Sequence, residues 1–193
     1  MIRVRSLLIV ALAALVFAQP WMQEGFYAIY HQTVKNSGLF ALRGQAYDLT
    51  LKYEVVKVYS PNNITLRIVG NVTALINGRN VTRTLNTTVN LDPNWKNVSL
   101  PFLTTQKFNE LLRNVPKYNK TGDIYTFEIN ISEPIPNHNM LFVAKGIEKI
   151  NAKLMILTYS KIESVIYLTK NNSKRLAGTS IVTVTLKEYH MPK

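Results

Sequence analysis

Two runs of alternating apolar and polar residues, 64–76 and 79–91, flank the dipeptide Asn77-Gly78. A two-residue type I′ turn needs positive φ at both central positions, and Asn and Gly tolerate this best, so the dipeptide predicts a β-hairpin. With those residues as the loop, Ile76 faces Arg79 and every later pair is fixed. Ile64, Leu66, Ile68 and Ala74 then oppose Leu91, Val89, Thr87 and Val81 on one face. Val69, Asn71, Thr73 and Leu75 oppose Asn86, Thr84, Thr82 and Asn80 on the other. A slip of one residue would send each side chain to the wrong face, so turn and pattern together specify one register. The hairpin has a dry face and a wet one.

The same period of two recurs along the chain. Phe26, Ala28, Tyr30, Gln32 and Val34 fall on one face of a strand, and Lys35-Asn36-Ser37-Gly38 reads as a turn. Tyr47, Leu49, Leu51, Tyr53 and Val55 alternate until the phase changes at Val55-Val56, which predicts a β-bulge. Tyr125, Phe127, Ile129 and Ile131 alternate until the breaker at Pro134 and Pro136. Residues 140–153 fit either a helix, through Ile147, Ile150 and Leu154, or a strand, which their β-rich flanks favour. Residues 154–169, bent near Ser160, and 176–189 read as strands; 118–123 reads as a turn. One helix is expected: Thr104-Thr105 can cap it, Phe108, Leu111, Leu112 and Val115 form its apolar stripe, and Pro116 stops it. This is a lid on a sheet. The fold class is all-β, an antiparallel sandwich or strongly curved sheet of seven to eight strands with one short helix.

The first 18 residues read as a secretory signal. Arg3 and Arg5 precede an apolar run of eleven, Leu7 to Phe17, and Val16-Phe17-Ala18 offers the small residues at which cleavage would leave Gln19 first. The run is shorter than the roughly 20 residues that span a bilayer, and no later stretch is long and apolar enough. The expected organisation is a signal peptide at 1–18, an apolar-aromatic tail or first strand at 19–35, and one β domain at 36–193. The chain of 193 residues has no cysteine, which excludes disulfides and thiolate metal sites or nucleophiles. Its formal charge of +12 is spread singly rather than clustered, a solvated surface and not a nucleic-acid stripe. With 11 carboxylates, few groups titrate in acid, so the fold should tolerate low pH.

Eight Asn-x-Ser/Thr acceptors for N-glycosylation occur, at Asn63, Asn71, Asn80, Asn86, Asn97, Asn119, Asn130 and Asn171. Chance pairing of the chain's asparagines with its serines and threonines gives about 2.6, so the excess is roughly threefold. Asn71, Asn80, Asn86 and Asn130 all fall in the polar phase of their strands, where a sugar can project into water. The other four lie in turn-like stretches. Behind a secretion signal, eight accessible sites predict a glycoprotein.

Catalytic patterns are missing. His31, His138 and His190 lie far apart with no i+4 partner, and neither a nucleophile elbow, a zinc helix, a P-loop nor a dinucleotide fingerprint occurs. An enzyme is not expected, nor is a metal or other cofactor. Two readings remain. One is an extracellular structural protein that self-associates or joins other cell-surface proteins; its tail could add a strand to a neighbour's sheet, reaching roughly 50 Å when extended. The other is a secreted module binding lipid, polysaccharide or an anionic surface on a sheet face under the helix.

The leader, the aromatic tail, the cysteine-free β body and the eight acceptors together resemble exported, N-glycosylated cell-surface proteins of crenarchaea. The subunits of archaeal threads, pili joined by donor strands, have this combination. The resemblance implies an N-terminal donor segment carrying Trp21, Phe26, Ala28, Tyr30 and Val34, and sugars on all eight asparagines. It also implies a place at the cell surface.

Overall fold

The computed structural model describes residues 19–60, 63–91, 101–115, 117–136, 138–170 and 173–193. The predicted leader, Asn97, Pro116 and Asn171 lie outside these residues. The strands are β1 (Tyr27–Gly38), β2 (Ala46–Ser60), β3 (Asn63–Ile76), β4 (Arg79–Leu91), β5 (Tyr118–Thr121), β6 (Ile124–Pro134), β7 (Met140–Asn151), β8 (Ile156–Lys170) and β9 (Ser173–His190). A 3-10 turn, Leu39–Arg43, joins β1 to β2, and helix α1, Thr105–Asn114, lies between β4 and β5. The protein is mostly strand, as its sequence predicts.

The Asn77-Gly78 hairpin forms in the predicted register. All pairs from Ile64↔Leu91 to Ile76↔Arg79 are present, and φ is 50° at Asn77 and 75° at Gly78. The phase change in β2 is a bulge: the register with β3 steps between Val55 and Lys57, leaving Val56 48% exposed. Residues 140–151 are strand rather than helix, since Phe142, Ala144, Gly146, Glu148 and Ile150 share one phase and pair with both neighbours. Helix α1 starts where Thr104 Oγ1 accepts from the Lys107 backbone N–H at 3.1 Å.

Two expectations need correction. The described strands form one open antiparallel sheet of nine, ordered β4-β3-β2-β1-β9-β8-β7-β6-β5, not a two-sheet sandwich. The ninth strand is β5, within the stretch read as a turn. It pairs with β6 across Gly122-Asp123, where Gly122 has φ 58°, and it escaped notice because Tyr118 is the one apolar residue in four.

Residues 19–26 and 101–115 supply the second layer, against one face of the sheet. Phe102 stacks on Trp21 at 4.8 Å and meets the edges of Phe26, Tyr30 and Tyr53 at 5.8, 6.2 and 5.7 Å. Trp21 and Phe26 are fully buried there with Ile64, Leu66 and Val55. A neighbouring cluster places Phe108 of α1 on Phe127 and Ile150. We expect Phe102→Ala to lower stability by about 3–5 kcal/mol, the usual cost of emptying a buried aromatic site. In urea unfolding the midpoint should fall with its slope unchanged, while Leu176→Ala, at a position 57% exposed, should change little.

Candidate glycan-acceptor face and assembly strand

Side chains alternate across a strand, so the registers sort the whole sheet into two faces. The row Arg83, Val72, Leu49, Gln32, Val184, Ser160, Glu148, Phe127, Tyr118 crosses all nine strands on the inner face, under the covering layer. The row Thr84, Asn71, Thr50, His31, Thr185, Tyr159, Lys149, Thr126, Asn119 crosses on the outer face. A second outer row runs from Asn80 through Leu75, Ala46, Lys35, Ile181, Glu163 and Lys145 to Asn130. Asn86 pairs with Val69, in phase with Asn71, and Asn63 shares the phase of Thr65 and Arg67. All six described acceptor asparagines therefore stand on the outer face.

Five of the six, Asn71, Asn80, Asn86, Asn119 and Asn130, are exposed, and Asn63 is half-buried. Asn71 Oδ1 accepts from Thr84 Oγ1 at 3.2 Å, and Asn86 Oδ1 accepts from Arg67 Nε at 3.4 Å. Both contacts use Oδ1 and not Nδ2, the atom through which a sugar would be joined. Thr73 and Thr82, the hydroxyl residues of the Asn71 and Asn80 acceptors, touch each other at 2.9 Å.

The N-terminal segment folds into its own chain's sheet. Trp21, Phe26, Ala28 and Tyr30 are buried in the main core and Val34 is half-buried. Trp21 Nε1 donates to the Leu103 carbonyl at 3.0 Å and Tyr30 Oη to the Leu157 carbonyl at 2.7 Å. Burial pushes the Tyr30 phenol well above its ordinary range and keeps it a donor. β1 pairs from Tyr27 to Lys35 with β2 and from Tyr27 to Gly38 with β9, so it occupies the middle of the sheet. The strand runs to Gly38, through the stretch read as a turn.

Sequence reasoning passed over a carboxylate on the inner face. Glu148 helps line a cleft of about 300 Å³ with Tyr30, Gln32, Ser160, Leu103 and Val182. Burial raises its pKa above the ordinary value of 4.5, and a long contact from Ser160 Oγ at 3.4 Å opposes this in part. Its signal was legible as one charge in the phase of Phe142, Ala144 and Ile150. The helical alternative obscured this phase, because it paired Ile150 with Ile147, which lies on the outer face and is 43% exposed.

His31 Nε2 lies 3.7 Å from Asp48 on the outer face. Among the described residues, no three His, Asp or Glu side chains converge as metal ligands would, and no helix is long and apolar enough to cross a membrane. Comparison with protein-family models and with curated protein sequences finds no match for this chain.

A raised carboxyl pKa means that the folded state holds the Glu148 proton more tightly than the unfolded state does. Stability should rise as pH falls from neutral through the folded pKa, and the gain should be complete near 4.5. Glu148→Gln should be the more stable protein at pH 7, with the difference closing on acidification. Urea unfolding of both proteins across that range checks the sign.

Proposed function

We propose that this chain is an exported, N-glycosylated structural protein of the cell surface, whose copies assemble by exchanging the N-terminal strand. The central place of β1 carries the reading. β2, β3 and β4 are joined by successive hairpins, as are β5 to β9, and β1 alone bonds to both sets. Among the described residues it is also the first strand, joined to the rest of the sheet at its C-terminal end through the turn into β2, so it can leave one sheet and enter another. A sheet lacking β1 presents two facing edges whose backbone groups call for a strand.

Energetics decide what β1 can do on leaving. Trp21, Phe26 and Tyr30 each bury of order 150–250 Å², about 4–6 kcal/mol apiece at 25 cal/mol per Å². Together they rival the roughly 5–15 kcal/mol stability of a whole domain. The slot cannot stay empty. A second copy's β1 offers the same contacts in the same register, so exchange is near neutral in energy and assembly follows from concentration. The connection from Gly38 to Gly44 supplies a hinge: φ is 56° at Gly38 and 124° at Gly44, on either side of the 3-10 turn. A Cβ at Gly38 would meet the Ala177 carbonyl oxygen at 2.1 Å, so glycine is required there in the closed form.

The acceptor asparagines support the other half of the reading. Six on one face, five of them exposed, suit a surface coated with carbohydrate and turned to the outside.

The inner cleft favours a second reading, a secreted binding module. Its mixed lining, with Leu51, Leu157 and Val184 beside Gln32, Ser160 and the single charged group Glu148, suits a ligand with an apolar body and a neutral or cationic polar end better than an anion.

Deletion of 19–38 from the mature protein separates the two. Under the assembly reading, native protein forms filaments or gel ladders, and the truncated body does not. Adding a peptide of residues 19–38 should restore a folded, unassembled monomer. A native protein that stays monomeric at high concentration and binds an alkyl amine in the cleft would overturn assembly in favour of binding.

A further inference from the structure

We infer that the acceptor asparagines guard the lateral edges of the sheet: carbohydrate at Asn80 and Asn86 on β4, and at Asn119 and Asn130 on β5 and β6, stops a second copy from extending the sheet sideways. This rests on the glycosylation proposed above and adds a task for it.

Their placement is lopsided. The five inner strands, β2, β1, β9, β8 and β7, include the longest, of 15 and 18 residues, and carry no acceptor. The four outer strands, β4 and β3 at one side and β6 and β5 at the other, carry all six described ones. A coat that only solvated the outer face could sit anywhere on it. The six described acceptors lie at its margins.

The two edges differ in what the polypeptide itself does to block them. β5 is four residues long and covers 124–127 of β6, and the Glu128 N–H reaches the Lys117 carbonyl at 3.2 Å, so among the described residues 129–134 has a neighbour on one side only. That exposed length carries Glu133 and Pro134, both known edge blockers, and Asn130. Among the described residues, the chain's own protection of β4 is limited to the charges of Arg79 and Arg83. The strand is a 13-residue edge in unbroken register, without Pro, Gly, Lys or a bulge, and it is rich in Thr and Val. A long, flat, β-prone edge of this kind is a template for another strand. What it does carry is two acceptors six residues apart, on one face.

A sugar there obstructs pairing directly. A strand added beside β4 would place its outer-face side chains about 5 Å from Asn80 and Asn86, inside the volume of a glycan. In a symmetric antiparallel pairing centred on Arg83, Asn80 of each copy would face Asn86 of the other on the outer side. On the inner side Arg83 would face Arg83, a like-charge pair. Donor-strand exchange at β1 lies three strands inside this edge and is left open.

The test compares protein from a glycosylating host with two edge variants and one inner variant. Asn80→Gln with Asn86→Gln removes both β4 acceptors; Thr82→Ala with Thr88→Ala removes them while keeping the asparagines. Asn71→Gln removes one sugar from β3, one strand in from the edge. Intact mass gives occupancy, circular dichroism the fold, and thioflavin T fluorescence with light scattering the lateral association. Both edge variants should bind more thioflavin T and scatter more than native protein, and Asn71→Gln should match native. Edge variants that have lost both sugars, remain folded and associate no more than native would overturn the inference, as would equal association by Asn71→Gln. A native mass equal to the bare polypeptide would overturn the glycosylation itself, and mass alone identifies that outcome.

Discussion

β1 is the strand on which the two halves of this sheet depend. The hairpins of β2–β4 hold one half and the meander β5–β9 holds the other, while residues 101–115 between them lie against the inner face of the sheet. Backbone pairing of β1 with β2 and β9 turns two small sheets into one. The same strand delivers Phe26, Ala28 and Tyr30 to the inner face, and the preceding turn delivers Trp21. Phe102 then closes over them, so the covering layer is anchored to the strand that closes the sheet. Without β1 there would be neither a continuous sheet nor a floor for the main core.

The two faces of the sheet do separate work. The inner face holds the core, the cleft and the Glu148 carboxyl group, whose pKa burial raises. The outer face holds rows of threonine, lysine and asparagine, with isolated ion pairs such as Lys52–Glu54 at 3.4 Å and Lys161–Glu163 at 3.6 Å. Such exposed pairs contribute little to stability. Protonation in acid relieves the burial cost of the Glu148 charge rather than breaking a pair.

Local features were legible in the sequence and long-range ones were not. The Asn77-Gly78 hairpin could be written pair by pair, because its loop and both strands lie within 28 residues and turn and pattern agree. The β2 bulge and the α1 cap were local too, resting on Val55-Val56 and on Thr104. The partner of β1 was not local. Tyr27 pairs with His190, and nothing in a period of two names a strand so distant. The choice between a sandwich and a single curved sheet stayed open for a related reason: alternation shows that one face is covered, not what covers it. Here the cover is largely aperiodic chain, residues 19–26 and 101–103, which a sandwich reading replaces with a second sheet. The acceptor motifs were plain one by one, but their gathering on one face and at its margins needed the register of all nine strands.

Whether β1 serves its own chain or a neighbour can be read from a single covalent link, since the chain has no cysteine to compete. Val34 and Val182 are paired across β1 and β9, and both are half-buried. Replacing both with cysteine and oxidising assembled native-length protein should join different chains, giving a ladder on a denaturing, non-reducing gel. Assembled material whose oxidised chains all run as monomers would contradict strand exchange.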